Sequence, residues 1–137
     1  MTSPRFLLDT NVVIYIRRSR PREVRQRFEQ LQQGEAILSV ITYGELLYGI
    51  EKLQDQTGAK AKLEELTSLL TVWPLPVAAA EIFGRVRAHL SVRGELIGSN
   101  DLWIACHALA AGLVLVTNNE REFSRVDGLR IENWSKT

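Results

Sequence analysis

Phe6-Leu7-Leu8-Asp9-Thr10-Asn11, followed at once by Val12-Val13-Ile14-Tyr15-Ile16, decides how the rest of the chain is read. A short apolar run delivers one acidic residue, and a second apolar run resumes immediately. That order describes a buried strand that stops where a helix starts, which is where open α/β sheets bind ligands. Asp9 is therefore the first candidate for chemistry. Asp-Thr-Asn is also good helix-capping chemistry, because each of these side chains can accept from the free N–H groups of a first helical turn.

Working outward, Arg5 to Leu8 reads as a strand and Asn11 to Arg17 as a helix begun by a Thr10-Asn11 cap. Pro21 suits the first turn of a second helix, Arg22 to Gln33, with Val24, Phe28 and Leu31 at helical spacing and Gly34 as the stop. Ala36 to Ser39 is a second strand. Thr42 with Glu45 three residues on has the form of a capping box, opening a helix whose apolar stripe is Leu46, Leu47 and Ile50. Gly58 marks a break before an amphipathic helix over 59–70, and Pro74 pushes a strand at Thr71 to Leu75 towards a sheet edge. A long helix from Val77 to Arg93 ends at Gly94, and a helix from Leu102 to Ala111 closes at Gly112. Leu113 to Thr117 is the clearest strand, continuous and rich in β-branched residues. A short helical turn follows Asn118-Asn119, and a last strand lies near Arg130 to Glu132. Strands alternating with helices predict a single α/β domain over 1–137, a central parallel sheet with helices on both faces.

A chain of 137 residues buries enough surface to need no disulfide, which agrees with the single Cys106, read as a small buried hydrophobe. No stretch has the length of a membrane-spanning helix and the N-terminus lacks a signal pattern, so the expectation is a soluble protein of the cytoplasm. Net charge of +1 carries no information about partners, but Arg17, Arg18, Arg20, Arg22, Arg25 and Arg27 face one acid, Glu23, within their stretch.

Asp9, Asp55, Asp101 and Asp127 are the only aspartates. Asp9 ends the first strand, Asp101 opens the helix that leads into the strand at Leu113, and Glu45 sits near the start of the helix after the second strand. In a parallel sheet these three converge over the carboxyl edge. Convergent carboxylates repel, each raising the others' pKa unless a cation neutralises them. An all-oxygen donor set with no Cys/His spacing points to Mg²⁺, with Mn²⁺ as a substitute.

Leu7-Leu8-Asp9-Thr10-Asn11, Glu45 within Thr42 to Gly49, Asn100-Asp101-Leu102-Trp103-Ile104-Ala105, and the tail from Val116-Thr117-Asn118-Asn119-Glu120 through Gly128-Leu129 to Trp134 together resemble a PIN-domain ribonuclease. They are most similar to the VapC toxins of bacterial toxin–antitoxin pairs. The resemblance covers essentially the whole chain, with the motifs in family order. It implies a Mg²⁺-dependent endoribonuclease in which Asp9 and Asp101 are metal ligands and Glu45 completes the acidic cluster. Asn11, Ser39 and Thr117 would position those ligands. Many PIN domains carry a further acid just after the strand matching Leu113 to Thr117. Here Asn118-Asn119 stands there, which leaves open one metal or two. Either Asn119 orients a metal-bound water or Glu120 substitutes as the acid.

The same resemblance implies a homodimer, a VapB-like antitoxin laid over the acidic groove against Tyr48, Leu47 and Ile50, and structured RNA as substrate, the anticodon loop of initiator tRNA being the single best guess. Two other classes stay open: a phosphohydrolase with an aspartyl nucleophile, disfavoured because Asn11 stands where a second Asp is usual, and a catalytically silent PIN-like module that binds a partner. The arginine run suits RNA phosphates, but a solvated helix face or a surface for an acidic partner is the favoured reading. Trp103 reads as a core or dimer contact, and His89 and His107 either as surface residues or as residues that stand behind the ligands and support them.

Overall fold

At the centre of the sheet lies β1 (Phe6–Leu8), flanked on one side by β2 (Ala36–Ser39) and β3 (Thr71–Trp73) and on the other by β4 (Val114–Val116) and β5 (Ile131–Glu132). The computed structural model describes residues 3–136. All neighbouring strands are parallel and the order is β3-β2-β1-β4-β5. The chain winds outward from β1 to β3, then returns to the other side of β1 to add β4 and β5. That reversal leaves a switch point at the carboxyl ends of β1 and β4, where no crossover covers the strand ends.

Parallel strands need long crossovers, and helices supply them. α1 (Thr10–Arg18) and α2 (Arg22–Glu29) join β1 to β2, α3 (Val40–Glu51) and α4 (Thr57–Leu69) join β2 to β3, α5 (Ala78–Val92) and α6 (Ser99–Ala111) join β3 to β4, and the short α7 (Glu120–Phe123) precedes β5. Side chains alternate across the sheet. Phe6, Leu8, Ala36, Leu38 and Val116 join one core with Val12, Val13, Leu63 and Leu66, while Leu7, Ile37 and Leu115 join a second with Leu90, Leu102 and Ile104. Both faces of β1 and β2 are therefore covered, which is why these strands read as unbroken apolar runs.

The α/β architecture agrees with the sequence-based expectation, as do the edge position of β3 and the left-handed Gly112 that ends α6. Several boundaries differ, among them the start of α6 at Ser99 in place of Leu102, and three have a cause in local hydrogen bonding. α1 starts at Thr10, because Asp9 itself is the cap and accepts from the Val12 N–H. α2 ends at Glu29, not Gln33, because turns closed by Leu31 N–H to Phe28 O and Glu35 N–H to Gln32 O take over before Gly34 at φ 97°. α3 starts at Val40, because Ser39 leaves the strand still extended and its hydroxyl accepts from the Ile41 N–H. Thr42 is thus a buried residue inside the helix, and there is no capping box at Glu45. Gly58 lies in the first turn of α4 and breaks nothing.

Candidate active site

The sheet register builds the first half of the site. Leu8 pairs with Val116, and the Asp9 N–H continues the ladder to the Val116 carbonyl at 3.0 Å, so Asp9 and Thr117 leave their strands side by side. Thr117 Oγ1 donates to Asp9 Oδ2, and the Val12 N–H donates to Asp9 Oδ1 at 2.9 Å. Asp9 is 5% exposed. Burial raises its pKa from 3.8 to about 6; the two hydrogen bonds pull it down without winning, and the charges of Asp101 and Glu45 add to the rise.

Asp101 occupies the first turn of α6, where the helix N-terminus favours a negative charge. Its carboxyl is nevertheless held above the ordinary range, first by burial, then by Glu45 and Glu122. Glu45, in the second turn of α3, accepts from Thr10 Oγ1 at 2.7 Å. Thr10 begins the helix that Asp9 caps, so one hydroxyl ties the Glu45 carboxylate to the β1–α1 junction. The structure thus brings Asp9, Glu45 and Asp101 within one electrostatic neighbourhood. Glu122 belongs to it as well and was not singled out from the sequence.

The remaining candidates separate. Glu120 is engaged by Lys136 at 2.6 Å and Asn133 at 3.1 Å, which lower its pKa. It is not among the charges acting on Asp9 or Asp101. The backbone N–H of Asn119 donates to Thr117 Oγ1 at 3.0 Å, so Thr117 links the β4–α7 turn to Asp9. Asn11 is exposed on α1. Ser39 contacts no carboxylate; besides capping α3 it shares a 2.8 Å hydrogen bond with His107 Nδ1. His107 is fully buried, because α6 is enclosed on nearly every side by core, so of its two readings the surface one is corrected. Its Nε2 has no partner among the described residues. His89, by contrast, is exposed and faces Asp127 at 3.5 Å. Trp103 stacks on Phe83 at 3.8 Å, and the Cys106 thiol is buried with its pKa raised to about 11, which leaves it unreactive.

The donor chemistry fits a hard divalent cation: oxygen atoms only, with two carboxyls held above their ordinary range by burial and by neighbouring carboxylates, Asp101 and Glu45 acting on Asp9, and Glu45 and Glu122 on Asp101. Among the described residues no three His, Cys, Asp or Glu side chains close up enough to hold an ion by themselves. Mg²⁺ suits that looser arrangement, since it keeps several waters and takes one or two carboxylates. Of the apolar residues flanking Glu45, Tyr48 and Leu47 are exposed, whereas Ile50 is buried in the core.

A PIN-domain family model matches residues 6–129. Ribonuclease VapC2 of Haemophilus influenzae is 46% identical over 130 residues, which cover 95% of this chain and 98% of that protein. The tRNA(fMet)-specific endonuclease VapC of Shigella flexneri is 44% identical over 131 residues, 96% of this chain and 98% of its own. The crystal structure of DNA-bound VapBC from Salmonella typhimurium superposes with a TM-score of 0.88 at 41% identity, covering 96% of this chain and 98% of the other.

Proposed function

Because the chain belongs to the PIN-domain family and, within it, to the VapC ribonucleases, we propose that it is the toxin of a type II toxin–antitoxin pair, a Mg²⁺-dependent endoribonuclease acting on structured RNA. One observation carries the reading. A nearly inaccessible aspartate stands at the sheet's switch point with a pKa near 6, in the field of two more carboxylates. Such a group is held ready for a cation.

Asp9 and Asp101 would hold the ion. When bound, it supplies charge neutralisation at a phosphate oxygen and a more acidic water. The protein's own groups do the rest. Thr117 and the Val12 N–H fix both oxygens of Asp9, so its orientation does not depend on the ligand. Thr10 engages Glu45 Oε1, which leaves Oε2 to accept a proton from the attacking water. The water oxygen bonds to phosphorus, the P–O3′ bond breaks, and the departing O3′ takes a proton. The products are a 5′-phosphate and a 3′-hydroxyl, with no attack by the 2′-OH. Of the two acids after β4, Glu122 is the one that acts on Asp101, so the fourth acidic position of this site is assigned to Glu122. Glu120 instead ties down the C-terminal segment. Asn119 is left to orient the water through its side chain.

The substrate guess is the anticodon loop of initiator tRNA, supported by the 44% identical relative named for tRNA(fMet). A splayed single-stranded phosphodiester suits an acidic groove better than a regular A-form duplex does. A VapB-like antitoxin is the proposed partner, supported by the VapBC complexes among similar structures; a second copy of the chain is proposed from the family resemblance. Exposed Tyr48 and Leu47 give an antitoxin segment its apolar footing. The experiment is to incubate the protein with total RNA, with and without Mg²⁺, and map new 5′ ends, then to compare an anticodon stem-loop with the same sequence closed into a duplex. Metal-dependent cutting confined to the loop and absent in Asp9→Asn is expected. Equal cutting of loop and duplex, or cutting that survives Asp9→Asn, overturns the mechanism.

A further inference from the structure

A groove of about 640 Å³ opens between α1, α3 and α4, and Thr10 and Glu45 form part of its lining. Its floor is apolar, with Ile14, Leu46 and Ile50, and its basic wall is Arg17, Arg18 and Lys62. Ion pairs occupy Arg5, Arg25, Arg27 and Arg93 elsewhere on the surface. Arg17, Arg18 and Lys62 have no carboxylate within 4.0 Å among the described residues, so three uncompensated cations converge on one groove. A smaller cleft lined again by Arg17 and Lys62, with the ion-paired Arg25 and with Glu65, continues the groove past the end of α1.

We propose that this groove is the track for the RNA strand on one side of the scissile bond, with Arg17, Arg18 and Lys62 pairing with successive phosphates. The inference rests on the ribonuclease reading of the adjoining carboxylates. Three features favour a nucleic-acid strand. The basic wall shares its groove with Glu45, so a phosphate there belongs to the same strand as the one being cut. Guanidinium groups match phosphate oxygens in pairs. The apolar floor offers a surface for ribose and base. Gly49 and Gly58 line the same groove, and a Cβ built on either meets nothing within 4 Å, so their lack of side chains keeps the groove wide.

The test measures binding of a fluorescent anticodon stem-loop to Asp9→Asn protein, which does not cut it, as a function of salt. Arg17→Gln, Arg18→Gln and Lys62→Gln combined should weaken binding at least tenfold at low salt. They should also flatten the log–log salt dependence by about 2, three single-strand phosphate contacts at roughly 0.7 each. Gly49→Leu, which fills the groove without altering charge, should weaken binding with the slope unchanged. Arg87→Gln, on an exposed face of α5, is the control. If the triple variant matches that control while the otherwise wild-type protein still cuts RNA, the track is overturned and the ribonuclease reading stands. If the triple variant binds and cuts normally but escapes inhibition by a co-expressed antitoxin, the groove takes an acidic protein segment and the proposal falls. If neither parent nor variants bind RNA, both readings fall together.

Discussion

Asp9, which caps α1 and accepts from Thr117 at the start of the β4–α7 turn, and Glu120, at the end of that turn, have opposite fates. Glu120 is half-buried, paired with the Lys136 ammonium and hydrogen-bonded by Asn133, so it ionises more easily than a free glutamate. Asp9 also has two donors, yet it ionises less easily, because neither donor carries charge and burial outweighs both. Moving a carboxyl from 3.8 to about 6 corresponds to roughly 3 kcal/mol opposing its ionised form. Glu120 is thus satisfied within the protein, whereas Asp9 is oriented and left short of positive charge, as the proposed metal ligand should be.

The sharpest way to break this contrast is at Asp9 and Glu45. Asp9→Asn keeps the cap and the contact with Thr117, whose hydroxyl can turn to accept from the new amide, but it removes the charge. We expect cleavage to fall about 10³-fold, and Glu45→Gln to cost a similar factor, both read from single-turnover rates on the stem-loop. Next comes the pair Glu122→Gln and Glu120→Gln. The first should weaken Mg²⁺ affinity by about 10- to 100-fold, measured by calorimetry, and the second should leave it unchanged. Equal effects of the two would erase the distinction drawn between them.

Stability against pH sharpens the comparison further. Between about pH 4 and 6 the metal-free native state binds the Asp9 proton more tightly than the unfolded chain does. Stability from this group therefore falls as pH rises through that window and is flat above it. His107 works the other way: burial lowers its pKa, so its contribution is present above pH 6.5 and is lost as pH falls below. The difference between wild type and Asp9→Asn isolates the first effect. At pH 8 without metal the variant should be more stable by about 1–3 kcal/mol, and the advantage should vanish near pH 4 and shrink with Mg²⁺. Thr117→Val should cost about 1–3 kcal/mol through the donor withdrawn from a buried carboxyl, and should move the Asp9 window to higher pH. Lys136→Ala should be the mildest change, leaving cleavage and Mg²⁺ affinity as they are, because it disturbs only the satisfied carboxylate.

Much of this was legible from residue order. Apolar runs ending in Asp9 and in Thr117 located the two strand ends, and the alternation of strands and helices predicted the parallel sheet that makes those ends neighbours. What escaped depends on a rotation or a shift of one turn. Thr42 and Ser39 are equally good caps on paper, and only the extended backbone at Ser39 decides between them. Glu120 and Glu122 lie two apart on one turn of helix, hence on different sides of it, and no periodicity in four residues says which side faces α6. His107 was misread because one polar residue in a helix buried nearly all round looks, in sequence, like one on a solvated face. Thr10 reads in sequence only as a cap, since its partner Glu45 is 35 residues away.

Asp9 caps α1 and, in the mechanism proposed, also serves the site, which sets how the gene could lose its harm. Aspartate and asparagine codons differ by a single base, and asparagine caps a helix as well as aspartate does. A lineage under pressure to disarm this protein therefore has a one-step route to a folded, harmless copy at this position, still able to engage whatever the intact protein engages. Alanine there would cost the cap as well as the charge. Disarmed descendants should accordingly persist as well-folded decoys and not as unstable remnants.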